Sequence, residues 1–285
     1  MSRASIRRAT RSSDLGRLMR EAAGRHHLWD VFSDFCEMAA LAVANSVDLA
    51  QRERREARYM DRIRRYEPAE QALFPQMLAA LVERLEEGPA DVLGALFGEL
   101  ELGNADRGQF FTPFEVCRLM ARMQIGDGRL PELLEQRGFI TVNEPACGAG
   151  AMVIAFAEAM QEAGYNPQRQ LHITCQDVDS RGVHMAFLQL SLLHIPAIVV
   201  LGNTLTLETR EVWYTPAHIL GGWSWKLGRG RHPLIEPAND NTPSETKPPE
   251  PETKPAEPET PVPETVTPVP IDVTLPPLGE QFGLF

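Results

Sequence analysis

The sequence is short of the features that mark zinc sites, disulfide scaffolds and membrane spans. Only four cysteines occur in 285 residues (Cys36, Cys117, Cys147 and Cys175), and no two form a CxxC pair. That spacing argues against a zinc-finger ligand set and a disulfide framework, and implies reduced thiols in a cytoplasmic protein. No run approaches the roughly 20 apolar residues of a membrane-spanning helix, so no membrane partner is expected. The basic N-terminus is not followed by the apolar core of a secretory signal. His26, His27, His184, His194 and His218 lack metal-ligand spacing and read as ordinary helix or surface residues, so no metal is expected.

Apolar residues are also scarce at the C-terminal end. From Pro233 to Phe285 there are 14 prolines in 53 residues, with ten acids against only Lys247 and Lys254. Such a stretch buries too little apolar surface to offset its ordering entropy, so 233–280 is expected to be a disordered linker rich in Pro, Glu and Thr. About 230 residues remain, enough for a substantial core. The formal net charge is −11, yet residues 1–66 hold 14 arginines and no lysine against nine acids. This basic part either meets phosphates or is a solvated helix face. Arg52, Arg54, Arg55, Arg58, Arg62, Arg64 and Arg65 alternate with Glu53, Glu56 and Asp61, and both readings stay open.

What is present falls into blocks. A basic arm over 1–27 precedes a helical region over 28–107. There Phe32, Phe35, Cys36, Ala39, Leu41 and Val43 recur at helix spacing, followed by Leu73, Met77, Leu78, Leu81 and Leu85. Pro68 suits a helix start, Gly88-Pro89 an end, and Pro75 a bend or restart between them. Over 108–232 the pattern changes to strand and helix in alternation. Phe139–Asn143, His172–Gln176 and Ala197–Leu201 read as strands, with helices over Ala149–Ala163 and Arg181–His194. Strands joined by crossover helices imply a parallel, Rossmann-like α/β sheet.

The chemistry is expected at the carboxyl ends of those strands. Asn143-Glu144-Pro145-Ala146-Cys147-Gly148-Ala149-Gly150 joins the first strand to a helix. Its glycines permit a tight turn and close backbone approach, and the helix start offers free N–H groups. The second strand ends in Gln176-Asp177-Val178-Asp179, where an acid can accept ribose hydroxyls or simply cap the next helix.

Ahead of the glycine loop stands Gly108-Gln109-Phe110-Phe111-Thr112-Pro113. With the two segments above, it resembles the N6-adenine DNA methyltransferases, in particular the modification subunits of type I restriction–modification systems. The resemblance covers roughly 70–207, and Asp91-Val92-Leu93-Gly94 looks like the family's helix before the first motif. It implies a Rossmann-like S-adenosylmethionine-dependent fold that binds the donor and acts on DNA. Gln109, Phe110, Phe111, Thr112 and Pro113 would close over the methionine end. Glu144, Pro145, Ala146, Cys147, Gly148 and Gly150 would form the donor loop. Asp177 would hold the ribose, and Asn203 stands after the third strand where the family usually has an acid.

The sequence departs from that family in one respect that bears on activity. The (N/D)PP(F/Y) motif, which holds the target amine of a flipped adenine, is not found. Where it should fall the chain reads Arg210-Glu211-Val212-Trp213-Tyr214-Thr215-Pro216-Ala217-His218. The catalytic residues are therefore not assigned, with Tyr214, Thr215 and Asn203 as candidate stand-ins. The sheet is expected to be incomplete, to be completed by a partner subunit or left so in a non-catalytic derivative. A methyltransferase for RNA or protein is disfavoured by the Gly108–Pro113 segment.

Two further segments carry chemistry. Gly221-Gly222-Trp223-Ser224-Trp225-Lys226, with Arg229 and Arg231, either pins the last segment to the fold or stacks on bases and grips phosphate. Gln281-Phe282-Gly283-Leu284-Phe285 resembles the peptides that dock on the bacterial sliding clamp. Gln281, Phe282, Leu284 and Phe285 would be its contacts, and folding back on the domain is the alternative.

Overall fold

A computed structural model describes residues 14–100, 102, 112–228 and the backbone of 282–283. The N-terminal part is helical: α1 over 14–22, α2 Leu28–Asn45, α3 Arg52–Ile63, α4 Pro68–Gln71, α5 Leu73–Glu86 and α6 Val92–Glu99. Pro68 opens α4, where its missing N–H is no loss. The chain restarts at Leu73, so Pro75 falls in the first turn of α5 and breaks no intrahelical bond.

Two expectations about this region change. The stretch 1–27 is not an arm from 14 onward, because Leu15, Leu18, Met19 and Ala22 of α1 are buried with Phe32, Phe35, Leu81 and Leu93. Their helical spacing had been masked by the surrounding charge. The arginines of α3 are also not all a solvated face or free for phosphate. Arg55 donates to Asp48 at 2.7 Å, and its guanidinium lies 5.0 Å from the Trp213 ring. Arg58 donates to Glu37 at 2.7 Å and to Glu211 at 2.9 Å, and Arg62 donates to Glu37 at 2.8 Å. Sequence alternation could not show this, because the acids come from other elements.

Next come α7 Phe114–Ile125 and α8 Leu130–Arg137, then the sheet unit. That unit runs β1 Ile140–Glu144, α9 Ala151–Glu162, α10 Pro167–Gln170, β2 Leu171–Asp177, α11 Ser180–Leu192, β3 Ala197–Asn203 and β4 Glu208–Tyr214. Two short helices follow, α12 Pro216–Leu220 and α13 Trp223–Gly228. β1, β2 and β3 are parallel neighbours, as expected from their crossover helices. Ile140, Val142, Leu171, Ile173, Cys175, Ala197 and Val199 share one core cluster with Val153, Phe156 and Phe187 of α9 and α11. α11 in turn packs on α2, so the helical region forms a further layer over the same sheet face. At the amino end of the other face, α12 and α13 bring His218 and Trp223 against His172. Among the described residues, no helix is long and apolar enough to cross a membrane.

β4 is the element that the sequence reading missed. It runs antiparallel on the outer edge of β3, pairing Tyr214 with Ile198 and Glu208 with Asn203. Thr215 caps α12 at the amino end of β3: its hydroxyl accepts from Ala197 N at 2.9 Å and donates to Ile195 O at 2.9 Å. Tyr214 and Thr215 therefore lie at the opposite end of the sheet from the glycine loop, which excludes them as stand-ins for the missing motif. On the other edge, β1 pairs with β5 Phe282–Gly283 through Val142 and Asn143. The backbone of these two residues folds back on the domain. The rest of the tail, including Gln281, Leu284 and Phe285, lies outside the described residues.

The link between helices and sheet is testable through Arg58, whose loss would leave Arg62 as the remaining arginine paired with the Glu37 carboxylate, which is 8 % exposed. Arg58→Ala is expected to cost about 2 kcal/mol in chemical denaturation at neutral pH, below the range for a fully buried pair. Burial pushes the Glu37 carboxyl up, but the hydrogen bond from Arg58 and the neighbouring charges, those of Arg58 and Arg62 among them, together outweigh it and hold the group below its ordinary value. A depressed carboxylate stabilises the fold above its unfolded value and loses that contribution as pH falls through the folded one. The cost of Arg58→Ala is thus expected to shrink in acid.

Candidate functional site

The carboxyl ends of β1, β2 and β3 are tied to one another by short polar contacts. After Glu144 the chain turns through Pro145–Gly150 into α9, with Gly148 at φ +51° and Gly150 at φ +91°. Both values lie in the left-handed region, where a side chain is strained. Gly148 N donates to Asp177 Oδ2 at 2.8 Å, and Cys147 N donates to Gln176 O at 2.9 Å. From the β3 side, Thr204 Oγ1 donates to Pro145 O at 2.8 Å. The loop is thereby clasped on both sides, by the end of β2 and by the turn after β3.

The two aspartates after β2 divide their roles. Asp179 caps α11, accepting from Arg181 N at 3.0 Å and pairing with the Arg181 guanidinium, which stacks on Trp29. Asp177 instead faces the glycine loop, and its other oxygen accepts from Asp179 N at 2.9 Å. Glu144 is 1 % exposed; one oxygen accepts from Ala146 N at 3.1 Å, and the other has no partner. Burial raises both the Glu144 and Asp177 carboxyls above their ordinary values, and for Glu144 the charge on Asp177 adds to the rise. Asn203 is turned inward on its own loop, its side-chain oxygen accepting from Leu205 N at 2.9 Å. Cys147 and Cys175 are buried free thiols.

Of the segment before the loop, Thr112 and Pro113 are exposed at the start of α7, where Pro113 is the N-cap. Gln109, Phe110 and Phe111 lie outside the described residues. The structure thus brings Glu144, Pro145, Ala146, Cys147, Gly148, Gly150, Asp177 and Asn203 to one end of the sheet. Among the described residues, no group of three or more His, Cys, Asp or Glu is placed to hold a metal.

Sequence reading missed Gln189. Its side chain is fully buried on α11 and touches three elements at once. Oε1 accepts from Val92 N at 2.7 Å and Leu93 N at 3.0 Å, the open amides at the start of α6. Nε2 donates to Asp91 Oδ1 at 3.0 Å and to Ala149 O at 2.9 Å, within the glycine loop. One amide therefore holds the loop to the helix that leads into the Gly108–Pro113 segment. The only sequence signal was a glutamine on an otherwise apolar helix face. His184 and His218, expected as ordinary helix or surface residues, are instead core residues, 4 % and 2 % exposed.

No curated protein matches the chain. The N-6 DNA methylase family model matches residues 95–220, a span that runs from within α6 through the glycine loop, Asp177 and Asn203 to the end of α12. This part of the chain, and with it the clasped loop at the sheet's carboxyl end, is similar to the N-6 DNA methylases.

Proposed function

We propose that the protein binds S-adenosylmethionine at the carboxyl ends of β1 and β2 and acts on DNA as a protein of the adenine-N6 methyltransferase type. The observation that carries this reading is the loop Pro145–Gly150, turned by two left-handed glycines into α9 and clasped by Asp177 and Thr204. The donor supplies an electrophilic methyl group on sulfur; the residues of the chain bind and orient it. Gly148 and Gly150 allow the backbone to approach, and no side chain caps the start of α9, whose N–H groups are open to a ligand. Each Asp177 oxygen accepts one backbone N–H and keeps a lone pair for a ribose hydroxyl. The unpartnered Glu144 oxygen suits an ammonium group. In this reading Gln109, Phe110, Phe111, Thr112 and Pro113 close over the methionine end, and Asn203 stands beside the adenosine half.

A second reading, a non-catalytic DNA-associated derivative, is favoured by the course of β4, which carries the stretch 210–214 away from the loop. With Tyr214 and Thr215 at the far end, Asn203 is the remaining candidate acceptor among the described residues. The protein would work in the cytoplasm, within restriction–modification or beside it, with a partner subunit supplying the amine-holding residues. Sliding-clamp docking through Gln281, Phe282, Leu284 and Phe285 would require the pairing of β5 with β1 to open.

Calorimetry with the full-length protein, alone and with DNA, tests the donor site. Gly148→Val is expected to weaken donor binding at least about a hundredfold, because a β-branched residue resists this backbone and blocks close approach. Asp177→Ala is expected to weaken it about tenfold or more, removing the ribose acceptor and freeing Gly148 N. Affinity should also fall on acidification, starting above the ordinary carboxylate range, since both acids are raised. Unmeasurable binding by the intact protein in both settings overturns the reading. Labelled donor incubated with mixed-sequence duplex separates the two readings: incorporation into adenine favours the enzyme, and none favours the derivative.

A further inference from the structure

The helix α7 has an apolar side that turns away from the domain. Cys117 and Ala121 face inward to the cluster shared with α9, whereas Val116, Leu119 and Met123 are 44 %, 61 % and 69 % exposed. The three recur at i, i+3 and i+7, so they form one stripe about 10 Å long. Single exposed apolar residues are ordinary, but a continuous stripe invites a cover. Its neighbours set its place in the fold. α9 crosses from β1 to β2 and α11 from β2 to β3, and a Cβ at Gly150, where α9 starts, would lie 3.4 Å from Ala186 of α11. α7 holds the opposite flank of α9, where Arg118 donates to Glu158 at 2.6 Å and Arg122 to Glu162 at 2.9 Å. It therefore lies above the β1 edge, the edge on which β5 pairs.

The end of the chain reaches this flank. β5 is parallel to β1, so the chain enters it from the amino side of the sheet. α9 runs from the glycine loop toward that side, and the pairs 118–158 and 122–162 set α7 parallel to it. Residues 229–281 lie outside the described residues, and their sequence is uneven. Eight acids fall between 236 and 264, but between 265 and 279 the sole charged residue is Asp272. There Val269, Ile271, Val273 and Leu275 alternate, which in an extended chain puts all four on one side. Pro268 and Pro270 carry no N–H, so this stretch suits packing on a helix better than pairing in a sheet. We propose that 269–275 docks in extended form along α7, with its alternate side chains on Val116, Leu119 and Met123. Three successive alternate positions span about 13 Å, a match to the stripe. The segment runs in the direction of α7 and turns back into β5 through 276–281, where Pro276, Pro277 and Gly279 stand and the reach is up to about 20 Å. The chain's own end is the occupant because β5 holds it at this flank, at an effective concentration that a free partner does not match. A partner that adds a strand to β1, or a receptor for residues 281–285, must displace this segment first.

Cross-linking in the full-length chain tests the docking. Leu119→Cys is combined either with Ile271→Cys or, as the control in the acid-rich stretch, with Ala256→Cys. Mild oxidation followed by peptide mapping identifies which cysteines have joined. The 119–271 bond is expected to form within one chain at least about tenfold faster than the 119–256 bond. A second readout needs no added thiol. Methionine oxidation follows exposure, so Met123 should be oxidised by hydrogen peroxide about threefold faster, or more, when Ile271→Asp and Val273→Asp are introduced together. Those substitutions lie outside the folded core, so a change at Met123 cannot come from loss of the fold. Equal rates for the two cross-links overturn the proposal. Bonds formed chiefly between two chains do so as well, since they assign the stripe to a second copy. If Met123 is oxidised at the same rate with and without the two aspartates, the stripe is bare or covered by another segment, and the proposal fails.

Discussion

Replacing Gln189 with leucine is expected to lower the free energy of unfolding by about 4 kcal/mol and to loosen the glycine loop at the same time. The two side chains have similar volume, so the effect is not one of packing. Leucine leaves Val92 N, Leu93 N and Ala149 O without the partners they have in the fold, and deprives Asp91 of one of its donors. Each buried polar group left unpaired costs about 1–3 kcal/mol, and the start of α6 has no other acceptor for Val92 and Leu93 among the contacts described. Asp91 keeps the hydrogen bond from Gly94 N at 2.9 Å, so its cap survives in part. Burial already raises the Asp91 carboxyl above its ordinary value, opposed by Gln189 and Gly94 N, and losing Gln189 should raise it further. Urea denaturation measures the stability, and hydrogen exchange at Gly148 and Gly150 measures the loop. Equal stability of the variant and the parent would show that the amide is not a structural tie. Gln189→Glu separates charge from shape: it keeps two acceptors but sets a carboxylate against Asp91 and Ala149 O, so it should be worse at high pH than at low pH.

Acid should destabilise this protein well before its carboxylates are protonated in bulk. Burial pushes the His184 and His218 imidazoles down to about 4, and His172 is lowered as well, by burial and by the neighbouring His218. The geometry explains why. His172 Nε2 and His218 Nδ1 are 2.9 Å apart, and His218 Nε2 meets Ser224 Oγ at 3.0 Å, so a second proton on the pair would set two cations together. His184 stands edge-on to Trp213 at 5.2 Å. In the unfolded chain each imidazole titrates near 6.5. The folded values lie below that, so the unfolded state takes up protons first and stability falls as pH drops from about 6.5 toward about 4. At pH 5 His184 and His218 together account for about 4 kcal/mol of loss relative to neutral pH. Raised carboxyls such as Asp34 and Asp91 act in the opposite sense, so the contribution of each histidine is read as a difference. The stability gap between the parent and His184→Gln, or the parent and His218→Gln, should narrow by about 2 kcal/mol between pH 7.5 and pH 5. A gap that stays constant would mean that the histidine is charged in the fold or titrates there as it does unfolded.

Much of the loop chemistry was legible because it is local. Proline at a helix start, glycine in a tight turn and an acid after a strand act over a few residues, and each carries its own steric or hydrogen-bonding reason. The strands expected at Phe139–Asn143, His172–Gln176 and Ala197–Leu201 appear at Ile140–Glu144, Leu171–Asp177 and Ala197–Asn203 for that reason. β4 escaped notice because Glu208-Thr209-Arg210-Glu211 is an edge strand with one face in solvent, and its exposed half carries no apolar alternation.

What the sequence by itself determined was the order of elements and the motifs at the strand ends. Turn chemistry and hydrophobic period depend on neighbours along the chain. What only the tertiary structure decided was which of those residues meet. Asp177 serves the loop while Asp179 caps a helix, Arg58 joins α2 to β4, and Gln189 ties α6 to Ala149 across 97 and 40 residues of chain. Hydrogen bonds and desolvation act over a few ångströms in space and are blind to separation along the chain. The same aspartate, arginine or histidine therefore has no fixed role until packing has chosen its partners and expelled its water.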